Sequence, residues 1–452
     1  MRLHPVPDET IAGVGHEIRS RQRTCLDVVD ACLARIDQWE PQVRAWVSVD
    51  RAGARARAGE LDRELDMGRW RGPLHGIPLG IKDLVDVAGW PTAAGAPWLK
   101  NAVAAVDAPL VERLRAAGAV ILGKTVTTQF ACFDPPPTRN PWNLERTPGG
   151  SSSGSSAAVA TGMCLGAIGS QTGGSITRPA SFCGVAGCKP TFGLVPLAGV
   201  YPLSPSLDHG GPIARSVEDL SILLEALVDS DRAATWRASR PTETGTTATL
   251  TGPFSGAKVV RLGRLRGPFQ DRAEPGALAI FEAALTLLAR AGAGLRDITL
   301  PPAFDDVLRC HRTVMTREIG NHHRSFFAEH RHEYLPGVRG IVEEGFHVAD
   351  DAYAKAKVHQ RALTPAVVET MRDVDVLVCP AAVGAAPILE TTGDPSFNAP
   401  WSYTGQPTVS FPIGLSAEGL PVAIQLIGRP HDEPGLFAAA LWCEGRIAES
   451  QS

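Results

Sequence analysis

Two serines in this 452-residue chain stand directly behind paired glycines, in Gly149-Gly150-Ser151 and Gly173-Gly174-Ser175. Successive glycines let several backbone N–H groups converge beside a hydroxyl, as an oxyanion hole with its nucleophile requires. The same composition suits an anion-binding nest or plain turn chemistry. A nucleophilic hydroxyl also needs a base. Histidine is the usual one, yet none of the 12 histidines has a comparably constrained setting. Lys82 does, in Gly80-Ile81-Lys82 between Pro78 and Leu84. An apolar, glycine-walled strand end disfavours the ammonium, so its pKa falls and the neutral amine can accept a proton. An ordinary ion pair of Lys82 with Asp83 or Asp86 accounts for the residue at least as well.

The elements that must position these groups alternate between strand and helix. From Thr24, a capping box with Asp27 predicts a helix carrying Leu26, Val29, Leu33 and Ile36 and ending near Trp39 and Pro41. Residues 74–87 are apolar and broken by Gly and Pro, which predicts a buried strand and turn around Lys82. A helix over 107–117 leads through Gly118 into a strand at 119–122. Residues 147–193 are rich in Gly and Ser yet apolar throughout, a poor composition for a flexible linker, and a helix is expected over 155–162 with a strand over 165–168. A second capping box, Ser216 with Asp219, opens an apolar helix through Leu227. Further strands are expected near 258–262, 295–300, 375–379, 408–411 and 421–427, and helices over 277–291 and 435–448. The Thr-, Ser- and Arg-rich segment from about 229 to 256 reads as a surface insertion, and about 306–372 as a long helical zone. Such alternation without an internal repeat predicts one large mixed-sheet α/β domain with helices on both faces.

Composition excludes several functions. The net charge is −4, from 44 basic and 48 acidic residues without long blocks of either sign, so neither a nucleic-acid footprint nor a polybasic membrane patch is expected. No run approaches the roughly 18 apolar residues of a spanning helix. MRLHPVPDET lacks the pattern of a secretory signal. Nine cysteines without a CxxC pair argue against a disulfide framework or a structural zinc site and favour a cytoplasmic location. Only seven of the basic residues are lysines, which makes Lys82 conspicuous.

Three motifs are set aside. GAVILGKT at 118–125 fits the phosphate-loop pattern, but a helix precedes it and its spacer residues read as a strand. GSSSG at 150–154 fits the nucleophile-elbow pattern with Ser152 as nucleophile, but the stretch before it is a poor strand and no acid and histidine follow in triad order. His322, His323, His330 and His332 lack metal-ligand spacing and read as a partly exposed helical surface.

The lysine and the two glycine-flanked serines together resemble the amidase signature family of serine hydrolases. The resemblance runs through ACLARID, GPLHGIPLGIKDLVDVAGWPTAAG, AAGAVILGKT, PTRNPWN, the Gly-Ser stretch, SLDHGGPIARSVEDL, TGQPTVSFPIG and GLPVAIQLIG, most of the chain. It implies an α/β/α sandwich around a twisted, mostly parallel mixed sheet. The whole of 1–452 would be one amidase domain, with a signature core over about 65–220 and a helical substrate-channel region over about 306–372. Lys82 falls on the family's catalytic lysine, Ser151 on its bridging serine with a cis peptide bond, and Ser175 on its nucleophile. The separation of 24 residues between the two serines fits the family and selects Ser151 among its serine neighbours.

The implied reaction is acyl transfer with no metal or organic cofactor. Backbone N–H groups of Thr172, Gly173, Gly174 and Ser175 would form the oxyanion hole. Small amides, anilides or carbamates are the expected partners of a monomer or homodimer, with no nucleic acid or membrane. Gln171 replaces a usual aspartate, Gln129 a frequent glutamate, Ser153 and Ser155-Ser156 part of a Gly-Gly-Ser, and Thr177-Arg178 an arginine followed by an apolar residue. These departures bear on substrate choice. Arg178 is expected either to pair with a substrate carboxylate or carbonyl through its planar fork or to form a structural ion pair. Thr127 and Gln171 are further expected substrate contacts. Trp90, Trp98, Phe130, Phe133 and Trp142 would line an aromatic-tolerant pocket or pack in the core. The alternatives in other classes are the glutaminase subunit of a tRNA-dependent amidotransferase, an esterase, and a non-catalytic scaffold, the last disfavoured because Lys82, Ser151 and Ser175 are all present.

Overall fold

The computed structural model describes residues 9–238 and 259–451. Its strands are β1 (Trp46–Val49), β2 (Pro78–Lys82), β3 (Val120–Thr125), β4 (Gly166–Gln171), β5 (Ala186–Lys189), β6 (His209–Ala214), β7 (Arg261–Leu265), β8 (Gly294–Ile298), β9 (Val376–Pro380), β10 (Thr408–Leu415) and β11 (Pro421–Ile427). They form one 11-stranded sheet in the order β1-β3-β2-β4-β6-β5-β10-β11-β9-β7-β8. Every residue of β2, β3 and β4 is buried. Covered on both faces, these strands carry runs of apolar and small residues where a half-exposed strand would alternate, with Lys82, Lys124 and Gln171 at or near their C-terminal ends.

The helix-flanked mixed sheet is as expected, but its parallel pairing is confined to two groups, β3-β2-β4 and β9-β7-β8. All other neighbours are antiparallel, so the sheet is not mostly parallel. β6 returns between β4 and β5, and β10 and β11 join through the short segment 416–420, too short for the crossover that parallel neighbours need.

The Thr24 capping box forms, with Thr24 Oγ1 accepting from Asp27 N at 3.0 Å and Asp27 Oδ2 from Thr24 N at 2.9 Å. Its helix, Cys25–Val43, runs past Pro41 instead of ending there. A proline that close to the end sacrifices little of the ladder, and buried Val43 keeps the chain on its core until Arg44 turns into the left-handed region at φ 55°. At Ser216 only half the expected box is made. Ser216 Oγ accepts from Asp219 N, while Asp219 Oδ1 accepts from Ala12 N at 3.1 Å and ties helix Ile11–Arg19 to helix Val217–Leu227. The expected surface insertion begins with helix Ser230–Ala238, and the rest of it, from 239, lies outside the described residues. The helical zone resolves into Val307–His323, Phe327–His330, Pro336–Gly345 and Asp350–Thr370. Among the described residues no helix is long and apolar enough to cross a membrane.

Helix Ser153–Ala160, which opens from the first Gly-Gly-Ser, packs hard against the sheet. A Cβ on Gly154 would lie 2.2 Å from Ala45 O and 2.4 Å from Val126 N, both backbone atoms of strand-flanking residues. Gly154→Ala is therefore expected to destabilise the fold by about 1–3 kcal/mol, read as a lower urea midpoint with an unchanged slope.

Candidate active site

Lys82 ends β2, between the parallel neighbours β3 and β4, and is fully buried. Its Nζ lies 2.7 Å from Ser151 Oγ, 2.9 Å from Ser170 Oγ and 3.3 Å from Ser170 O. No carboxylate contacts it among the described residues. Asp83 pairs instead with Lys124, whose Nζ is 2.9 Å from Asp83 Oδ1 and also donates to Pro91 O and Thr92 Oγ1. Burial holds the Lys82 pKa well below the usual lysine value, opposed by the charge of Asp208. A neutral amine has one lone pair, which can accept from the Ser151 hydroxyl at this 2.7 Å distance. Lys124 itself lies inside strand β3, so GAVILGKT forms no phosphate loop.

The Gly150–Ser151 peptide bond is cis. Ser152 N donates to Ser175 O at 3.2 Å, which lays the two glycine-flanked serines side by side. Ser152 Oγ is fully buried against Ser170, 3.3 Å from both its O and its N, and is no candidate nucleophile. Ser175 stands on the turn leaving β4, 9% exposed, and its hydroxyl makes no hydrogen bond among the described residues. Catalytic hydrogen bonds are commonly open in unliganded sites and tighten with substrate.

The turn between β4 and helix Thr177–Cys183 is held from several sides. Gln171 Oε1 accepts from Ile176 N at 2.9 Å and from Thr177 N at 3.1 Å, and Gln171 Nε2 donates to Ser402 Oγ at 3.3 Å. The amide expected to meet substrate is thus occupied in bracing the loop. Thr127 turns its hydroxyl to Thr128 O at 3.1 Å, an internal contact as well. Thr172 Oγ1 donates to Asp208 Oδ1 at 2.5 Å, and Asp208 Oδ2 accepts from Leu203 N and Ser204 N. Burial raises the Asp208 pKa to about 7 despite these donors. A Cβ on Gly174 would come 2.7 Å from Asn398 Oδ1, so only glycine fits there. The backbone N–H groups of Gly173, Gly174 and Ser175 donate to no protein acceptor among the described residues.

Arg178 is buried beside this loop. Its Nη2 donates to Gly150 O at 2.8 Å and reaches Thr392 Oγ1 at 3.5 Å, while Nε and Nη1 are buried without partners. It forms no ion pair among the described residues, which leaves the structural-pair alternative unrealised. Burial lowers its pKa to about 10, with Asp394 acting in the opposite direction.

The five aromatic residues do not form one wall. Trp98 and Phe130 meet with centroids 5.4 Å apart, Trp142 Nε1 donates to Cys183 O, Trp90 packs elsewhere against the core, and Phe133 is 42% exposed. The histidine stretch is partly exposed, with His332 exposed and His322 and His330 half-buried, but His323 is fully buried with Nδ1 2.7 Å from Tyr334 OH, and His330 stacks on Trp98 at 4.7 Å. Aromatic partners from outside helix Val307–His323, Phe130 and Tyr334, drew His323 inward. Among the described residues no cluster of His, Cys, Asp or Glu could hold a metal ion. His311 and Ser402 joined the site without a signal in the sequence, because each reaches it by packing, while Ser170 and Asp208 lie within segments that carry the resemblance but were not singled out.

The family model described as Amidase matches residues 27–437. An amidase of Pseudomonas putida is 37% identical over 96% of this chain and 94% of that protein. A glutamyl-tRNA(Gln) amidotransferase subunit of Anaeromyxobacter dehalogenans is 35% identical over 95% of this chain and 94% of its own length. The native peptide amidase from Stenotrophomonas maltophilia superposes with a TM-score of 0.82 at 32% identity, covering 98% of both chains.

Proposed function

The chain belongs to the amidase family, and from that premise we propose that it hydrolyses the C–N bonds of small amides, anilides and carbamates through an acyl-enzyme on Ser175. Neutral Lys82 takes the proton of Ser151, Ser151 takes that of Ser175, and the Ser175 oxygen attacks the carbonyl. Loop N–H groups from Thr172 to Ser175 receive the oxyanion, a contribution of about 3–4 kcal/mol per donor. The proton returns through Ser151 to the leaving nitrogen, and water then cleaves the ester. The observation that carries this reading is a fully buried lysine with no carboxylate contact among the described residues, 2.7 Å from a serine hydroxyl whose neighbour is hydrogen-bonded to Ser175. Amide and carbamate pass through the same tetrahedral oxyanion, so one site serves both. A fluorophosphonate probe should label Ser175, and a panel of amides, anilides, carbamates and esters should then rank the substrates. Lack of labelling at Ser175 would overturn the assignment.

Arg178 supplies the acyl-side specificity in this reading, because its buried Nε and Nη1 have donors to spare. Arg178→Ala should raise KM about 10-fold or more for acid-bearing amides and leave neutral ones nearly unchanged, by loss of a charge-assisted contact. Equal losses on both classes would refute it. The amidotransferase relative favours a second reading, a glutaminase subunit working inside a complex. Turnover of an anilide by the purified chain on its own excludes it.

A further inference from the structure

Two of the three free N–H groups at the head of this loop owe their direction to side chains outside the Gly-Ser stretch. In a trans peptide unit the C=O of one residue and the N–H of the next point in opposite directions, so a bond to the carbonyl aims the amide. His311 Nε2 lies 2.8 Å from Thr172 O, which sets the Gly173 N–H. Ser402 Oγ donates to Gly173 O at 2.9 Å, which sets the Gly174 N–H. Arg178 N donates to Gly174 O at 3.0 Å, which sets the Ser175 N–H through the backbone of the following helix. A carbonyl can only accept, so the His311 tautomer carries its proton on Nε2.

The loop needs these pins. Gly173 and Gly174 lack the side chains that narrow backbone choice, so the direction of their peptide planes rests on what their carbonyls bond. An oxyanion donor acts only when it already points at the place where charge develops.

We propose that His311 and Ser402 are positioning residues that hold the Gly173 and Gly174 N–H groups on the oxyanion. His311 comes from helix Val307–His323 and Ser402 from helix Ala399–Thr404, so two helices outside the Gly-Ser stretch set the electrostatics of the reacting carbonyl. Burial lowers the His311 pKa, which favours the neutral imidazole, and the Gln171 amide that donates to Ser402 Oγ leaves the Ser402 proton for Gly173 O. This inference rests on the amide-hydrolase reading above.

The test compares His311→Leu, His311→Gln and Ser402→Ala with wild type, using an anilide that wild type turns over and a trifluoromethyl ketone analogue of it as a tetrahedral adduct. His311→Leu and Ser402→Ala should each lower kcat about 10- to 100-fold with KM within about 3-fold, and weaken the ketone in the same proportion. His311→Gln, whose amide can donate to Thr172 O, should restore most of both. Should His311→Leu fail to fold, the glutamine and Ser402→Ala variants still decide. Unchanged kcat and ketone affinity in folded variants, or equal losses in the Leu and Gln variants, would overturn the inference while leaving the hydrolase standing. A wild type that neither labels with fluorophosphonate nor turns over any amide would overturn both.

Discussion

Ser175→Ala is expected to lower kcat/KM by a factor on the order of 10⁵ on every substrate that wild type hydrolyses, and to abolish fluorophosphonate labelling. In the proposed mechanism Ser175 is the group that bonds covalently to the acyl carbon, and the size follows from its removal. Binding should survive, because the Gly173, Gly174 and Ser175 N–H groups belong to the backbone. Folding should survive too, because the Ser175 hydroxyl makes no hydrogen bond among the described residues and its loss orphans no partner. A variant that retains activity and label would move the nucleophile elsewhere, yet Ser152 is fully buried against Ser170 and is a poor substitute. Intact-mass measurement of the labelled protein and its peptides checks the assignment directly.

Lys82→Met should lower kcat/KM about 10²- to 10⁴-fold, the range of a general base, and leave a residual rate nearly flat with pH. In wild type the amine must be unprotonated to act. Its folded pKa lies well below the usual 10.5, so activity should rise with pH through that depressed value and level off before the ordinary lysine range. The stability consequence has the same sign. Between the depressed folded pKa and the ordinary unfolded one, the unfolded chain binds more protons, so stability rises with pH across that interval. Methionine removes this cost of burial and preserves most of the volume, so the thermal midpoint should not fall. A pH–rate profile and a melting curve at neutral pH measure both effects. A Lys82→Met enzyme with the wild-type pH profile would show that another group is the base.

Local chemistry was legible in the sequence. Gly149-Gly150-Ser151 and Gly173-Gly174-Ser175 announce backbone donors beside hydroxyls, and the Thr24–Asp27 pair announces a helix start, because both act over three residues. The resemblance supplied what composition could not, the choice of Ser151 over its serine neighbours. The sheet was readable as an α/β pattern but not as an order, since the placement of β6 between β4 and β5 depends on pairings that no single segment encodes. Gln171 looked like a substrate contact and became a brace, because its reach is decided by where helix Thr177–Cys183 begins.

The sequence by itself determined the kinds of group available: a lysine in an apolar strand, serines after glycines, an arginine close behind. Only the tertiary structure decided their partners. Lys82 has Asp83 beside it in the chain, yet it meets Ser151, 69 residues away, while Asp83 is taken by Lys124. His311 and Ser402 reach the loop after β4 from 139 and 229 residues away. Desolvation and hydrogen-bond direction are properties of what packs around a group, and that packing exists only once the sheet and its helical layers have closed.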